Sequence, residues 1–196
     1  MLQTAFDKLF NSSFFPLLPF AAPLPFSTLY LFTYSKNYLP MYRILFVCLG
    51  NICRSCTAEE IFRTLATRNG LASRFEADSA GIIDYHEGEL PDVRMRQAAQ
   101  ARGYRLTHRS RPVKTEDFRR FDLIIGMDNR NCDKLRRLAP DEAARCKVVP
   151  MADYLQHHPT ENSIPDPYYG TAADFDYVVE LLEDACASLL EKTVGV

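Results

Sequence analysis

The sequence predicts an α/β fold, a three-layer arrangement with a central four-stranded parallel sheet and helices on both faces. Three observations predict it. Short apolar runs of strand length alternate with segments whose apolar residues recur at helical spacing, the pattern of repeated βα units. The runs Ile44–Val47 and Leu123–Ile125 are apolar throughout, as suits strands buried on both sides. With 196 residues and 47% hydrophobic composition the chain can fill one core, and its length fits one domain with an attachment.

The first strand is expected over Tyr42 to Val47. Gly50 and Asn51 follow, two residue types that tolerate positive φ and let the chain fold tightly back on itself. From Ala58 onward Ile61, Phe62, Leu65 and Ala66 recur at helical spacing. Phe75 to Gly81 reads as the second strand, Ile82 to Pro91 as a polar loop, and Asp92 to Arg102 as a helix. Phe121 to Asp128 holds the third strand and its turn, Asn129 to Leu138 a helix, and Lys147 to Pro150 the fourth strand. The segment Thr171 to Lys192 places Phe175, Val178, Val179, Leu182, Cys186, Leu189 and Leu190 on one helical face, a core-packing pattern.

The stretch between the first strand and first helix, Cys48-Leu49-Gly50-Asn51-Ile52-Cys53-Arg54-Ser55, carries the chemistry. A tight turn running into a helix N-terminus gathers unpaired N–H groups and partial positive charge, the elements of a phosphate cradle. Arg54 can hold two phosphate oxygens in a bidentate fork, and its charge favours the nucleophilic thiolate form of a neighbouring cysteine. Ser55 can donate its hydroxyl hydrogen to that sulfur. Further on, Pro165 and Pro167 bracket Asp166, so its carboxyl sits on a constrained loop instead of a helix. Asp128 fits equally a place on the same rim or the N-cap of the helix that follows.

These two motifs together resemble the low-molecular-weight protein tyrosine phosphatase family, over Met41 to about Lys192. The resemblance implies a metal-independent hydrolase without cofactor. In it Cys48 is the nucleophile, Arg54 the phosphate clamp and Asp166 the general acid and base. Leu49, Gly50, Asn51, Ile52, Cys53 and Ser55 complete the phosphate-binding loop. Ser79 and His108 match residues that hold the loop in shape, Ser79 through Asn51. Tyr85, Tyr168 and Tyr169 match the aromatic rim of the pocket. Similar phosphatases that act on phosphoarginine carry threonine where Ile52 stands, so the expected partner is a phosphotyrosine-containing protein or a small aryl phosphate. The chain departs from the family at Cys56, where proline usually stands. That substitution returns one backbone N–H to the helix start and creates a Cys53-x-x-Cys56 spacing at a helix N-terminus, as in thiol-disulfide oxidoreductases. Family members can pair the equivalents of Cys48 and Cys53 under oxidation. We expect that pair here, with Cys56 exchanging into it.

Other classes stay open at this level. An arsenate reductase shares the loop but needs a resolving cysteine pair in the second half, which the separation of Cys132 from Cys146 does not suggest. A thiol-redox protein would use Cys53 and Cys56 without needing Asp166. A phosphopeptide-binding module would lack a nucleophile and an acid.

A net charge of −2 gives no reason to expect nucleic acid. Six cysteines without a framework spacing point to a reducing, cytoplasmic setting and away from a disulfide scaffold. Cys132, Cys146 and Cys186 have no ligand-like neighbours, so no metal is expected. Residues 1–40 differ from the rest, being rich in Phe, Leu and Pro with no charge between Lys8 and Lys36. Pro16, Pro19, Pro23 and Pro25 would interrupt a spanning helix, and no clear cleavage site follows. We read this stretch as a disordered or non-native extension, translated from too early a start, with targeting left open. Residues 41–196 then form the catalytic domain, without membrane contact of its own, as a monomer or in weak self-association.

Overall fold

The computed structural model of the protein describes residues 40–194. The expectations for the N-terminal extension lie outside those residues.

Four parallel strands form the sheet: β1 (Tyr42–Cys48), β2 (Phe75–Gly81), β3 (Leu123–Gly126) and β4 (Val148–Pro150), in the spatial order β2-β1-β3-β4. Six helices among the described residues accompany them: α1 (Arg54–Arg68), α2 (Val93–Ala101), the single turn α3 (Asp117–Arg120), α4 (Asn129–Leu138), α5 (Glu142–Cys146) and α6 (Ala172–Val194). This is the α/β architecture expected from the sequence, and its phosphate-loop stretch does follow the first strand.

Side chains of a strand point alternately to opposite faces, and β1 divides its own apolar run on that rule. Ile44, Phe46 and Cys48 pack with α1, α2 and α6, where Phe62, Met95, Phe175 and Val179 fill the larger core. Leu45 and Val47 face the other layer, with Phe118 and Phe121 around α3 and Leu135 of α4. A run buried on both sides cannot show the polar alternation of a half-exposed strand.

All seven residues named from periodicity for the last helix are buried, as are Leu181 and Ala185. The last helix is expected over Thr171 to Lys192 and found over Ala172–Val194. The first helix differs more. Its apolar pattern begins at Ala58, yet it starts at Arg54, because its first turn is built from buried Arg54, Ser55, Cys56 and Thr57, which carry no apolar period. The turn α3 and helix α5 have no extended apolar period, so periodicity does not reveal them.

Strand order places the site. The chain leaves β1 toward β2 on one side and later returns to β3 on the other, so the carboxyl ends of β1 and β3 form a topological switch point where such sheets bind ligands. Cys48 ends β1, paired with Gly81 in register, and Asp128 lies just beyond β3. Gly81 lets the following loop pass close by: a Cβ there would lie 3.1 Å from both the Gly50 carbonyl carbon and the Leu49 oxygen. Ile82 and Ile83 N–H then donate to the carbonyls of Cys48 and Leu49.

Candidate active site

The loop from Cys48 to Ser55 turns at Asn51, whose φ of 58° makes it the one non-glycine residue with left-handed backbone among those described. Gly50 does not share that conformation. Its smallness serves space instead, since a Cβ would sit 3.0 Å from His86 Cδ2. Left-handed backbone at asparagine carries a steric cost, and the fully buried Asn51 side chain is held by four partners that offset it. Its Nδ2 donates to Ser55 Oγ and Ser79 Oγ, both at 2.9 Å. Its Oδ1 accepts from Arg111 N at 3.0 Å and lies 3.1 Å from His108 Nε2.

Glu59 of α1 extends this network, accepting from Ser79 Oγ at 2.7 Å and lying 3.0 Å from His108 Nδ1. Ser79 and His108 thus both meet Asn51 and Glu59. Glu59, 5% exposed, was not legible as part of it, since a glutamate in a helix reads as surface.

Cys48 is 3% exposed, with its Sγ 3.1 Å from Ser55 Oγ and accepting from Asn51 N at 3.3 Å. Asn51 Nδ2 occupies an acceptor site of the Ser55 hydroxyl, which leaves the hydroxyl hydrogen to point at the sulfur or at Ala80 O, 3.4 Å away. The shorter contact is to Cys48.

Arg54 begins α1 and is 2% exposed, an expensive place for a charge unless every edge is used. Nη1 donates to Asp128 Oδ2 at 2.7 Å and to Ile164 O at 3.1 Å, and Nη2 donates to Asp166 Oδ2 at 2.6 Å. Nε is buried without a protein acceptor, so the Nε–Nη2 edge suits the two oxygens of a phosphate. Asp128 meets the N-cap reading and does not line the cleft: Oδ1 caps α4 by accepting from Asn131 N at 2.7 Å, while Oδ2 holds the guanidinium. Asp128→Asn keeps the shape and cap but loses the charge, so kcat/KM for an aryl phosphate should fall roughly 10-fold with little change in Tm. Asp128→Ala should also lose about 1 kcal/mol of stability with the cap. Equal activity of wild type and both variants would show that Arg54 needs no such support.

Asp166 stands on its proline-bracketed loop, anchored by the buried Ile164, whose N–H donates to Met127 O at 2.8 Å. The side chains meet at a cleft of about 370 Å³ with Cys48, Cys53 and Arg54 at depth, Leu49 and Ile52 as apolar walls, and Tyr85, Tyr168 and Tyr169 at the mouth. His86 and Glu89 also line it, 2.7 Å apart. Neither carries a local signal in the sequence. Arg94, over the Tyr168 ring at 5.5 Å and held by Asp92, supports that rim from below.

The remaining candidates are Cys53 and Cys56. Burial, then the charges of Cys48, Asp92 and Asp166, push the Cys53 thiol well up, with Arg54 pulling partly back. Cys56 is pushed up by burial first and then by Cys48, Cys53 and Glu59. The described residues include one trio of potential metal ligands, Glu59, Asp78 and His108, but Ser79 and Arg111 already engage its carboxylates.

A buried thiol at the end of a parallel strand, beside a helix N-terminus and a buried guanidinium whose Nε has no protein acceptor, defines a cysteine-centred oxyanion site on a three-layer α/β fold. Comparison with known proteins narrows the class. A family model described as low molecular weight phosphotyrosine protein phosphatase matches residues 43–195. A low molecular weight protein-tyrosine-phosphatase of Streptomyces coelicolor is 40% identical over 153 residues, 76% of this chain and 92% of that protein. The low molecular weight phosphotyrosine protein phosphatase of Rattus norvegicus is 37% identical over 152 residues, covering 76% of this chain and 94% of its own. The crystal structure of a protein tyrosine phosphatase from Entamoeba histolytica with Hepes in the active site superposes with a TM-score of 0.76 at 41% identity, over 79% of this chain and 97% of that one. The chain belongs to the low molecular weight phosphotyrosine protein phosphatase family.

Proposed function

We propose that the protein is a protein-tyrosine phosphatase that hydrolyses phosphotyrosine and aryl phosphates through a phosphocysteine on Cys48. The observation that carries this reading is the chain of contacts Ser55–Cys48 and Arg54–Asp166 within one cleft, which puts a nucleophile, an anion clamp and an acid around a single reacting group.

The phosphoryl group enters the loop and takes the Nε–Nη2 edge of Arg54, displacing Asp166 from Nη2. Cys48 sulfur attacks phosphorus in line, the P–O bond to the aryl oxygen breaks, and Asp166 gives that oxygen its proton. Water then attacks the phosphocysteine with Asp166 taking a proton, the P–S bond breaks, and the thiolate leaves with a hydrogen bond from Ser55. Arg54 and loop N–H groups stabilise the equatorial oxygens in both steps. Depth supports an aryl substrate. Cys48 is 3% exposed at the floor while Tyr85 is 84% and Tyr169 96% exposed at the mouth, so a long flat side chain reaches the sulfur where serine is too short. Leu49, Ile52 and the tyrosine rings offer that aryl group apolar contact.

Arsenate reduction has little support: Cys132 packs on the opposite face of the sheet from Cys48, and Cys146 is exposed at the end of α5. Residues 41–196 make the catalytic unit in this reading, acting as a monomer or in weak self-association. A reducing cytoplasm suits its thiol nucleophile. Among the described residues no helix is long and apolar enough to cross a membrane. The test is phosphate release by reduced protein, with a chelator present, from a phosphotyrosine peptide and its phosphoserine counterpart. Release from the first alone, with phosphate trapped on the Cys48 peptide after acid quench, is expected. No release from either peptide sinks the proposal.

A further inference from the structure

The catalytic cycle uses Cys48 and leaves two other thiols of the same region without a task. Cys53 is the N-cap residue of α1, 4% exposed, and lines the cleft. Cys56 stands three positions on, 1% exposed and absent from the cleft wall, its Sγ donating to Cys53 O at 3.2 Å. Residues three apart on a helical turn are side-chain neighbours whose Cα atoms lie about 5 Å apart by helix geometry, within the Cα range a disulfide spans. Cys48 and Cys53 line the same cleft, and after burial the Cys48 charge is the next cause raising both the Cys53 and the Cys56 thiol.

We propose that Cys53 and Cys56 form a second, redox-active site that takes oxidation off Cys48 and returns the nucleophile to service. This rests on the phosphatase reading only in calling Cys48 the nucleophile.

A hydroperoxide is the oxidant. The Cys48 thiolate attacks its terminal oxygen, the O–O bond breaks, and Cys48 becomes a sulfenic acid with release of water or alcohol. Cys53 sulfur then attacks the Cys48 sulfur. An S–S bond forms, the S–O bond breaks, and hydroxide leaves as water with the Cys53 proton. In the third step Cys56 loses its proton to water and attacks the Cys53 sulfur. The Cys53–Cys56 bond forms, the Cys48–Cys53 bond breaks, and its electron pair leaves on Cys48 as thiolate.

Two features set the direction of that exchange. The departing sulfur is the one provided with anion donors, from Ser55 Oγ and Asn51 N, and a stabilised thiolate is the better leaving group. The attacking sulfurs are also both relieved of one opposing charge. The Cys48 charge is among the causes that hold both thiols in the protonated state, and it vanishes once Cys48 is oxidised. Burial confines Cys56 to this one partner, since a thiol 1% exposed and off the cleft wall is out of reach of a bulky reductant. Two equivalents of an external thiol entering the cleft at Cys53 would restore the dithiol.

The test treats reduced wild type, Cys56→Ser and Cys56→Ala with one equivalent of hydrogen peroxide, removes the excess with catalase, and supplies no reductant. Aryl phosphatase activity is followed for hours, each protein normalised to its own value before oxidation, and samples are quenched in acid, alkylated and mapped by mass spectrometry. Wild type should lose most of its activity and then recover more than half of it while the Cys48–Cys53 peptide gives way to Cys53–Cys56. Both variants should stay inactive until dithiothreitol is added, holding Cys48–Cys53. Absence of the Cys53–Cys56 bond in oxidised wild type, or equal recovery in the variants, overturns the proposal. Mapping follows the disulfides without reference to turnover, so the relay is tested even if the phosphatase assay fails.

Discussion

Cys48→Ser should lower phosphate release from a phosphotyrosine peptide by about 10⁴-fold or more, the scale on which enzymes lose activity when their covalent nucleophile goes. The variant should nevertheless fold and bind. Serine fits the volume, and its oxygen inherits the Ser55 and Asn51 N–H contacts now made by the sulfur. What it lacks is the sulfur: an alcohol gives up its proton far less readily than a thiol, and attack on phosphorus needs the anion. Arg54 and its Nε–Nη2 edge are untouched, so the peptide should bind with an affinity near its KM for wild type, read by calorimetry as a complex that does not turn over. Residual activity above about 1% of wild type would mean that phosphate transfer does not pass through this sulfur.

The loop was legible because it is local. Cys48 to Ser55 spans a strand end, a turn and a helix start in sequence order, and residue type alone limits what such a segment can do. β2 and α4 are found at their expected bounds for the same reason. Where sequence fell short, the cause is distance along the chain. Gly50 and Asn51 both tolerate positive φ, and only the buried contacts of Asn51 decide which residue adopts it. Asp128 reads as a helix cap because its cap partner is three residues away, while the Arg54 it holds is 74 residues away. Glu59 and His86 join the site through contacts made only once β2 and its loop lie against β1. A buried polar network of this kind is specified by mutual satisfaction, and no member of it carries the pattern alone.

Asp166→Asn should separate proton transfer from the rest of the site. General acid–base catalysis contributes about 10²–10⁴-fold, and the loss on a phosphotyrosine peptide should fall in that range, because tyrosine leaves as a phenolate whose conjugate acid has a pKa near ~10. 4-Nitrophenyl phosphate expels a much weaker base that needs little help, so its first step should slow far less. The second step still wants a base for water. With 4-nitrophenyl phosphate the variant should therefore show a burst of nitrophenol followed by slow turnover as phosphocysteine accumulates. The same substitution removes the carboxylate from Arg54 Nη2, 2.6 Å away, and with it the group that a phosphate oxygen must displace. Inorganic phosphate should accordingly inhibit the variant at least as strongly as wild type. An equal loss on both substrates, without a burst and with weaker phosphate binding, would assign Asp166 to holding the guanidinium, and some other group would then have to supply the proton.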